Sequence, residues 1–377
     1  MALYWLSKDS LDALLQALQH RGYQVMGPVL REGIPTLGPV ERAADLPWGV
    51  EAETAPGRYR TRSVSSSQAF DYVLTPQGWK RILFPPERWL LHLRKTDLGY
   101  EVWEPNQEAD PPLALLGVRP CELAALKILD RVLIQGPFVD HAYAERRRRA
   151  LVIVVNCSRS LDTCFCASLG TGPRAEDGYD LALTELPEGF VVETGSFRGA
   201  ELLQDLALPQ ATDIQARRAQ EAVAQAAQTQ SRHLNPEGLR DLLYDALESS
   251  VWQEIGEQCL GCGNCTLVCP TCFCTRVDEI TDLTGKEAWR LQSWDTCFSV
   301  EYAYLHGGSI RRSVAARYRQ WLTHKLAGWQ DQFGTLGCVG CGRCITWCPV
   351  GIDLTQQVHR LRQIHPRPAG VSQEEAS

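Results

Sequence analysis

The 377 residues contain no stretch of roughly 18 apolar residues, the length a membrane-spanning helix needs; the best runs, Pro112 to Gly117 and Ala150 to Val155, are strand-length. Lys8 and Asp9 stand where a signal peptide would carry its apolar segment. Export by that route is not expected, and a cytoplasmic location is. Positive charge is in deficit: 38 Lys and Arg against 45 Asp and Glu leave a net charge of -7. That balance offers no electrostatic basis for holding a phosphate backbone, so nucleic acid is not an expected partner. The one basic run, Arg146 to Arg149, reads as the solvated face of a helix. No G-x-G-x-x-G follows a strand; Gly170-Thr171-Gly172-Pro173 reads as a turn rather than a dinucleotide loop. Histidines number only 8 and are scattered, with His324 and His359 on helical stretches as ordinary residues.

Sulfur, by contrast, is abundant. Fifteen cysteines are about 4% of the chain, below the roughly 8–10% of a short disulfide-stapled domain but many for an intracellular protein without a use for thiols. The count is odd, so pairing would leave one over, and ligation is the better first reading. With 44% hydrophobic and 22% charged residues the chain is an ordinary folding sequence. Its length fits two domains.

The first is expected to be α/β, over residues 1–235. Leu11, Leu14, Leu15 and Leu18 share one helix face behind Ser10, a candidate cap, and Gly22 precedes a strand signal at Tyr23 to Met26. Pro112 to Gly117 reads as a buried strand, Cys121 to Leu133 as a helix and Leu151 to Val155 as a second buried strand, which together suggest a parallel unit. Asp180 to Leu186 and Phe190 to Thr194 hint at a further pair, and Leu202 to Ala227 and Pro236 to Ile255 read as helical. Residues 236–365 are expected to form a mainly helical, ferredoxin-like domain around the cysteine motifs, with an insertion at 275–335, and 366–377 a mobile tail.

Two segments repeat one pattern: Cys259-Leu-Gly-Cys262-Gly-Asn-Cys265-Thr-Leu-Val-Cys269-Pro270 and Cys338-Val-Gly-Cys341-Gly-Arg-Cys344-Ile-Thr-Trp-Cys348-Pro349. Each is C-x2-C-x2-C-x3-C-P, the bacterial ferredoxin run. Three closely spaced thiolates address three iron corners of one cubane while the fourth cysteine faces the other cluster. Cys259, Cys262, Cys265 and Cys348 are therefore expected to hold one [4Fe-4S] cluster, and Cys338, Cys341, Cys344 and Cys269 a second. Zinc sites more often come as cysteine pairs separated by a longer gap.

Seven cysteines remain. Cys121, Cys157, Cys164 and Cys166 follow the ends of the predicted buried strands, which would bring them to one edge of a parallel sheet as a possible third cluster site. The competing reading is that they are buried small hydrophobes. Cys272, Cys274 and Cys297 either pack beside the cluster loop or bind metal with a fourth ligand such as Asp295 or His306.

The runs Gly117-Val-Arg-Pro-Cys-Glu-Leu-Ala-Ala-Leu126, Asn156-Cys157 with Cys164-Phe-Cys166-Ala-Ser-Leu-Gly-Thr-Gly-Pro173, and Cys269-Pro-Thr-Cys-Phe-Cys274 with Trp294-Asp-Thr-Cys297 resemble the iron-sulfur beta subunit of cytosolic nickel-iron hydrogenases of the sulfhydrogenase type. They are also similar to the corresponding iron-sulfur component of anaerobic sulfite reductase. The likeness runs from about Pro112 to Asp353. It implies an electron-transfer subunit, not catalytic alone, that joins the hydrogenase large and small subunits to a flavin subunit binding NAD(P)H. The alternative it leaves is the matching component of a sulfite or polysulfide reductase. A self-contained enzyme using the amino-terminal cysteines is a third class.

Overall fold

The computed structural model describes residues 2–66, 68–72, 76, 78–103 and 111–366. Apart from Pro366, the expected mobile tail lies outside them. Thirteen strands carry the two larger sheets and one hairpin: β1 (Leu3–Ser7), β2 (Gln24–Arg31), β3 (Ile34–Pro39), β4 (Val50–Ala55), β5 (Arg58–Ser63), β6 (Glu87–Thr96), β7 (Gly99–Trp103), β8 (Leu113–Val118), β9 (Leu151–Asn156), β10 (Leu181–Leu186), β11 (Gly189–Thr194), β12 (Thr275–Thr281) and β13 (Glu287–Trp294).

The amino-terminal sheet has seven strands in the order β1-β11-β10-β9-β8-β2-β3. Its centre is parallel, from β2 through β8 and β9 to β10, and antiparallel pairs close both edges. All six residues of β9 are buried. This is why a continuous Leu-Val-Ile-Val-Val run is needed there: a parallel strand covered on both faces cannot alternate with polar residues. One face packs Leu11, Leu14, Leu15 and Leu18 of the helix Leu11–His20 against Ile153, Val155 and Leu183. The other packs Leu123, Leu126 and Leu129 of the helix Pro120–Leu133 against Leu115, Val152 and Val154. A short 3-10 turn precedes the first helix, and Ser10 bonds Ser7 rather than capping it.

A four-stranded antiparallel sheet, β12-β13-β6-β7, ties the insertion to the amino-terminal half of the chain, with Glu87 paired to Ser293 and Arg94 to Glu287. The region expected to be mainly helical therefore contains two long strands. Around the cysteine loops the helices Leu239–Asp245, Val251–Gln258 and Val314–Thr323 share a third core with Phe298, Leu326, Ile345 and Leu361. The segment Leu202 to Ala227 is broken into helices Phe197–Leu206 and Asp213–Gln228. Thr212 caps the second through a reciprocal bond with Gln215, which fixes where it starts.

Candidate metal centres

The two ferredoxin-type loops lie against each other and against the carboxyl ends of the parallel strands. Each loop has glycines at positive φ, Gly261 (65°) and Gly263 (73°) in the first and Gly340 (62°) and Gly342 (71°) in the second. A left-handed backbone at these sites lets consecutive cysteines turn inward, and side-chain-bearing residues adopt it only at a cost.

Cys259, Cys262, Cys265 and Cys348 line one cavity of about 430 Å³, counted to its open mouth, together with Phe298, Tyr318, Trp321, Ile352 and Leu354. Cys348 comes from the other loop. Backbone amides aim at its sulfurs: Gly261 N donates to Cys259 Sγ at 3.4 Å, and Ile352 N to Cys348 Sγ at 3.3 Å. Cys262 is exposed, and Leu260 beside it is 65% exposed. Burial pushes the Cys259 and Cys265 thiols up, and charge on Cys348 adds to both shifts.

Cys269 belongs in space with Cys338, Cys341 and Cys344, whose titrations all feel it. Burial pushes Cys338 up to about 12. Cys269 goes the other way: a hydrogen bond from Cys272 and the charge of Lys325 favour its thiolate. Lys325, itself buried, donates from Nζ to Cys269 Sγ at 3.2 Å, Thr271 Oγ1 at 3.0 Å, Gly337 O at 2.9 Å and Cys272 Sγ at 3.6 Å. No sequence signal marked this lysine, although the helix-period pattern around it faces the core.

Cys272, Cys274 and Cys297 line a second cavity of about 680 Å³, counted to its open mouth, with Tyr302, Arg311, His324 and Lys325. His324 is the imidazole there, and neither Asp295 nor His306 lines it. Asp295 instead accepts from Thr296 N and Ser299 Oγ in its own turn. Cys121, Cys157, Cys164 and Cys166 also come together, at the amino end of the helix Pro120–Leu133 and beside Cys341. Among the described residues, no three His, Cys, Asp or Glu side chains close on one point as a single metal ion requires. Cubane ligands attach to separate irons and need no such convergence. Sets of soft thiolates in cavities of this kind, with amides directed at sulfur, fit iron-sulfur clusters.

Trp321 and Trp329 are buried. Trp289 stacks on His92 at 5.1 Å, and Trp294 stacks on Phe84 with Lys80 Nζ 3.7 Å from its centroid. Of the basic run, Arg147 pairs with Asp130, and Arg148 and Arg149 with Glu145.

Fold and site together define an iron-sulfur protein in which a dicluster segment is set against an α/β domain. The 4Fe-4S dicluster domain family matches residues 258–352. Sulfhydrogenase 2 subunit beta of Pyrococcus furiosus is 34% identical over 310 residues, which cover 81% of this chain and 89% of that protein. The chain belongs to the family of sulfhydrogenase beta subunits. No solved structure matches it. Among the described residues no helix is long and apolar enough to cross a membrane.

Proposed function

We propose that the chain relays electrons within a hydrogenase complex, between large and small subunits that carry a nickel-iron centre and a further subunit that binds flavin and NAD(P)H. In this reading Cys259, Cys262, Cys265 and Cys348 hold one [4Fe-4S] cluster, and Cys338, Cys341, Cys344 and Cys269 the other. The observation that carries it is the cavity in which three cysteines of one loop meet the fourth cysteine of the other. When bound, such clusters store and pass single electrons without exchanging ligands.

The chain's own residues supply the rest. Phe298, Tyr318 and Trp321 wall the first cavity and exclude water. Gly261, Ile352 and Lys325 direct N–H groups at ligand sulfurs, which raises the reduction potential by stabilising added negative charge. Exposed Cys262 and Leu260 make the first loop the natural contact for a partner's cofactor. Membership of the family supports the flavin and nickel-iron partners, and the chain carries no dinucleotide fingerprint of its own.

The test is made on the full chain, reconstituted without oxygen. It should show two magnetically interacting [4Fe-4S] signals and no turnover of hydrogen, sulfite or NADPH. It should also restore electron transfer between a catalytic pair and a flavin subunit that are inactive together without it. Replacing Cys348 by Ser should damage the cluster of the first loop. Turnover by the chain alone, or zinc in place of iron, would refute the relay.

A further inference from the structure

Four cysteines outside the dicluster loops converge in the α/β domain, and nothing in the relay described so far uses them. Cys121 is the second residue of the helix Pro120–Leu133, Cys157 follows β9, and Cys164 and Cys166 lie in the next loop. The parallel order of β8 and β9 sends the chain out of the sheet on the same side after both strands, so the two following segments deliver thiols to one place. The packing is close. A Cβ added at Gly172 would lie 3.1 Å from Cys166 Sγ and 3.6 Å from Cys121 N, and Cys157 N donates to Pro173 O at 3.0 Å.

The surroundings suit an anionic group. Arg119 and Arg343 are both buried there with the buried carboxylate of Glu122, and the buried Glu185 also bears on Arg119. Glu122 binds Arg343 at 2.7 Å, while Nε and Nη1 of Arg343 are buried with no hydrogen-bond partner. An orphaned guanidinium edge is costly unless something negative faces it. Gln230 Nε2 also donates to Cys166 Sγ at 3.2 Å, the same kind of N–H to sulfur bond that the dicluster loops make.

The loop carrying these cysteines is fastened to the second ferredoxin-type loop. Phe165 N donates to Gly340 O at 2.9 Å, Thr171 Oγ1 to Val339 O at 2.8 Å, and the hydroxyls of Thr163 and Thr346 lie 2.8 Å apart. Cys341 is close enough to Cys121, Cys164 and Cys166 that its charge would bear on all three.

We propose that Cys121, Cys157, Cys164 and Cys166 bind a third [4Fe-4S] cluster, placed beside the second ferredoxin-type loop so that the electron path extends into the α/β domain. Its existence stands on these four thiols and the two arginines; only its place in a path rests on the relay reading. Three cubanes give the reconstituted full chain about twelve irons and as many acid-labile sulfides. The double variant Cys164→Ser/Cys166→Ser should lose four of each and keep the magnetically coupled pair. If that variant loses all its iron, Gln230→Met, which spares every ligand, decides: one signal's midpoint potential should fall while the coupled pair's stay put. Eight irons in the unaltered chain with the coupled pair present would overturn the third cluster and leave the relay standing. Unchanged iron in the double variant, with four irons lost on Cys274→Ser/Cys297→Ser, would overturn it too, by moving the cluster to the other cavity. Absence of the coupled pair would instead strike the relay.

Discussion

Two buried charges show how single residues carry function and stability here. Lys325 touches the sulfurs of Cys269 and Cys272 from a fully enclosed position, where a lysine with no anion to face would be expensive. Lys325→Met should therefore lower the reduction potential of the cluster assigned to Cys338, Cys341, Cys344 and Cys269. A redox titration followed by spin resonance, with both potentials unmoved, would contradict that. Glu185 is the second case. Its carboxylate accepts from Ala69 N at 2.7 Å and Phe70 N at 3.0 Å, yet burial outweighs these bonds and pushes it up to about 7. Because the folded value exceeds the unfolded one, folding takes up a proton between them. The associated stability is full below about pH 4.5 and is lost as pH rises through about 7, a difference of roughly 3 kcal/mol. Urea unfolding of the α/β region at pH 5 and pH 8 should show that fall, and Glu185→Gln should flatten it.

At the scale of elements, the second ferredoxin-type loop is pressed so closely onto the loop 161–173 that its glycines have a double duty. A Cβ at Gly340 would lie 2.6 Å from Cys166 N, and one at Gly342 would run into the Thr163 carbonyl. Gly334, at nearly the same φ of 65°, has nothing within 4 Å. Gly334→Ala should cost only the left-handed backbone term, about 1–2 kcal/mol. Gly342→Ala adds a backbone collision and should cost clearly more, with iron content falling alongside. Equal melting temperatures for the two variants would show that the docked loop yields freely. The elements differ sharply in how readable they were. Buried runs such as Leu113–Val118 and Leu151–Asn156 announce themselves because both faces are covered. By contrast Thr275–Thr281 and Glu287–Trp294 are partly exposed on both faces, so charged residues interrupt any apolar period and the strands escape notice. They are held by pairing with one another and with β6, a tertiary fact that no local pattern encodes.

For the molecule as a whole, the spacing of the two cysteine runs was enough to expect Cys348 beside Cys259, Cys262 and Cys265, and the four line one cavity. The gathering of Cys121, Cys157, Cys164 and Cys166 at one sheet edge also followed from strand order. Their nearness to Cys341 did not, since it depends on how the α/β domain and the dicluster segment meet. That junction is made of the Glu122–Arg343 ion pair, the Tyr59–Trp347 stack at 5.4 Å and the Gly57 N to Ile345 O bond at 3.1 Å. Cys341 adjoins the set in the α/β domain, while Cys344 of the same loop lies on the wall of the first cavity, whose Cys262 is exposed.

The union of β6 with β13 bears on how the chain is made. During translation at about 5–20 residues per second, β6 emerges roughly 10–40 s before β13, about 200 residues later, can reach it. Until then the β6–β7 hairpin, with Trp89, Tyr100, Val102 and Trp103 exposed even in the finished fold, has a free backbone edge open to any neighbouring strand. Aggregation of the nascent chain, rather than unfolding of the completed protein, is the hazard this topology carries.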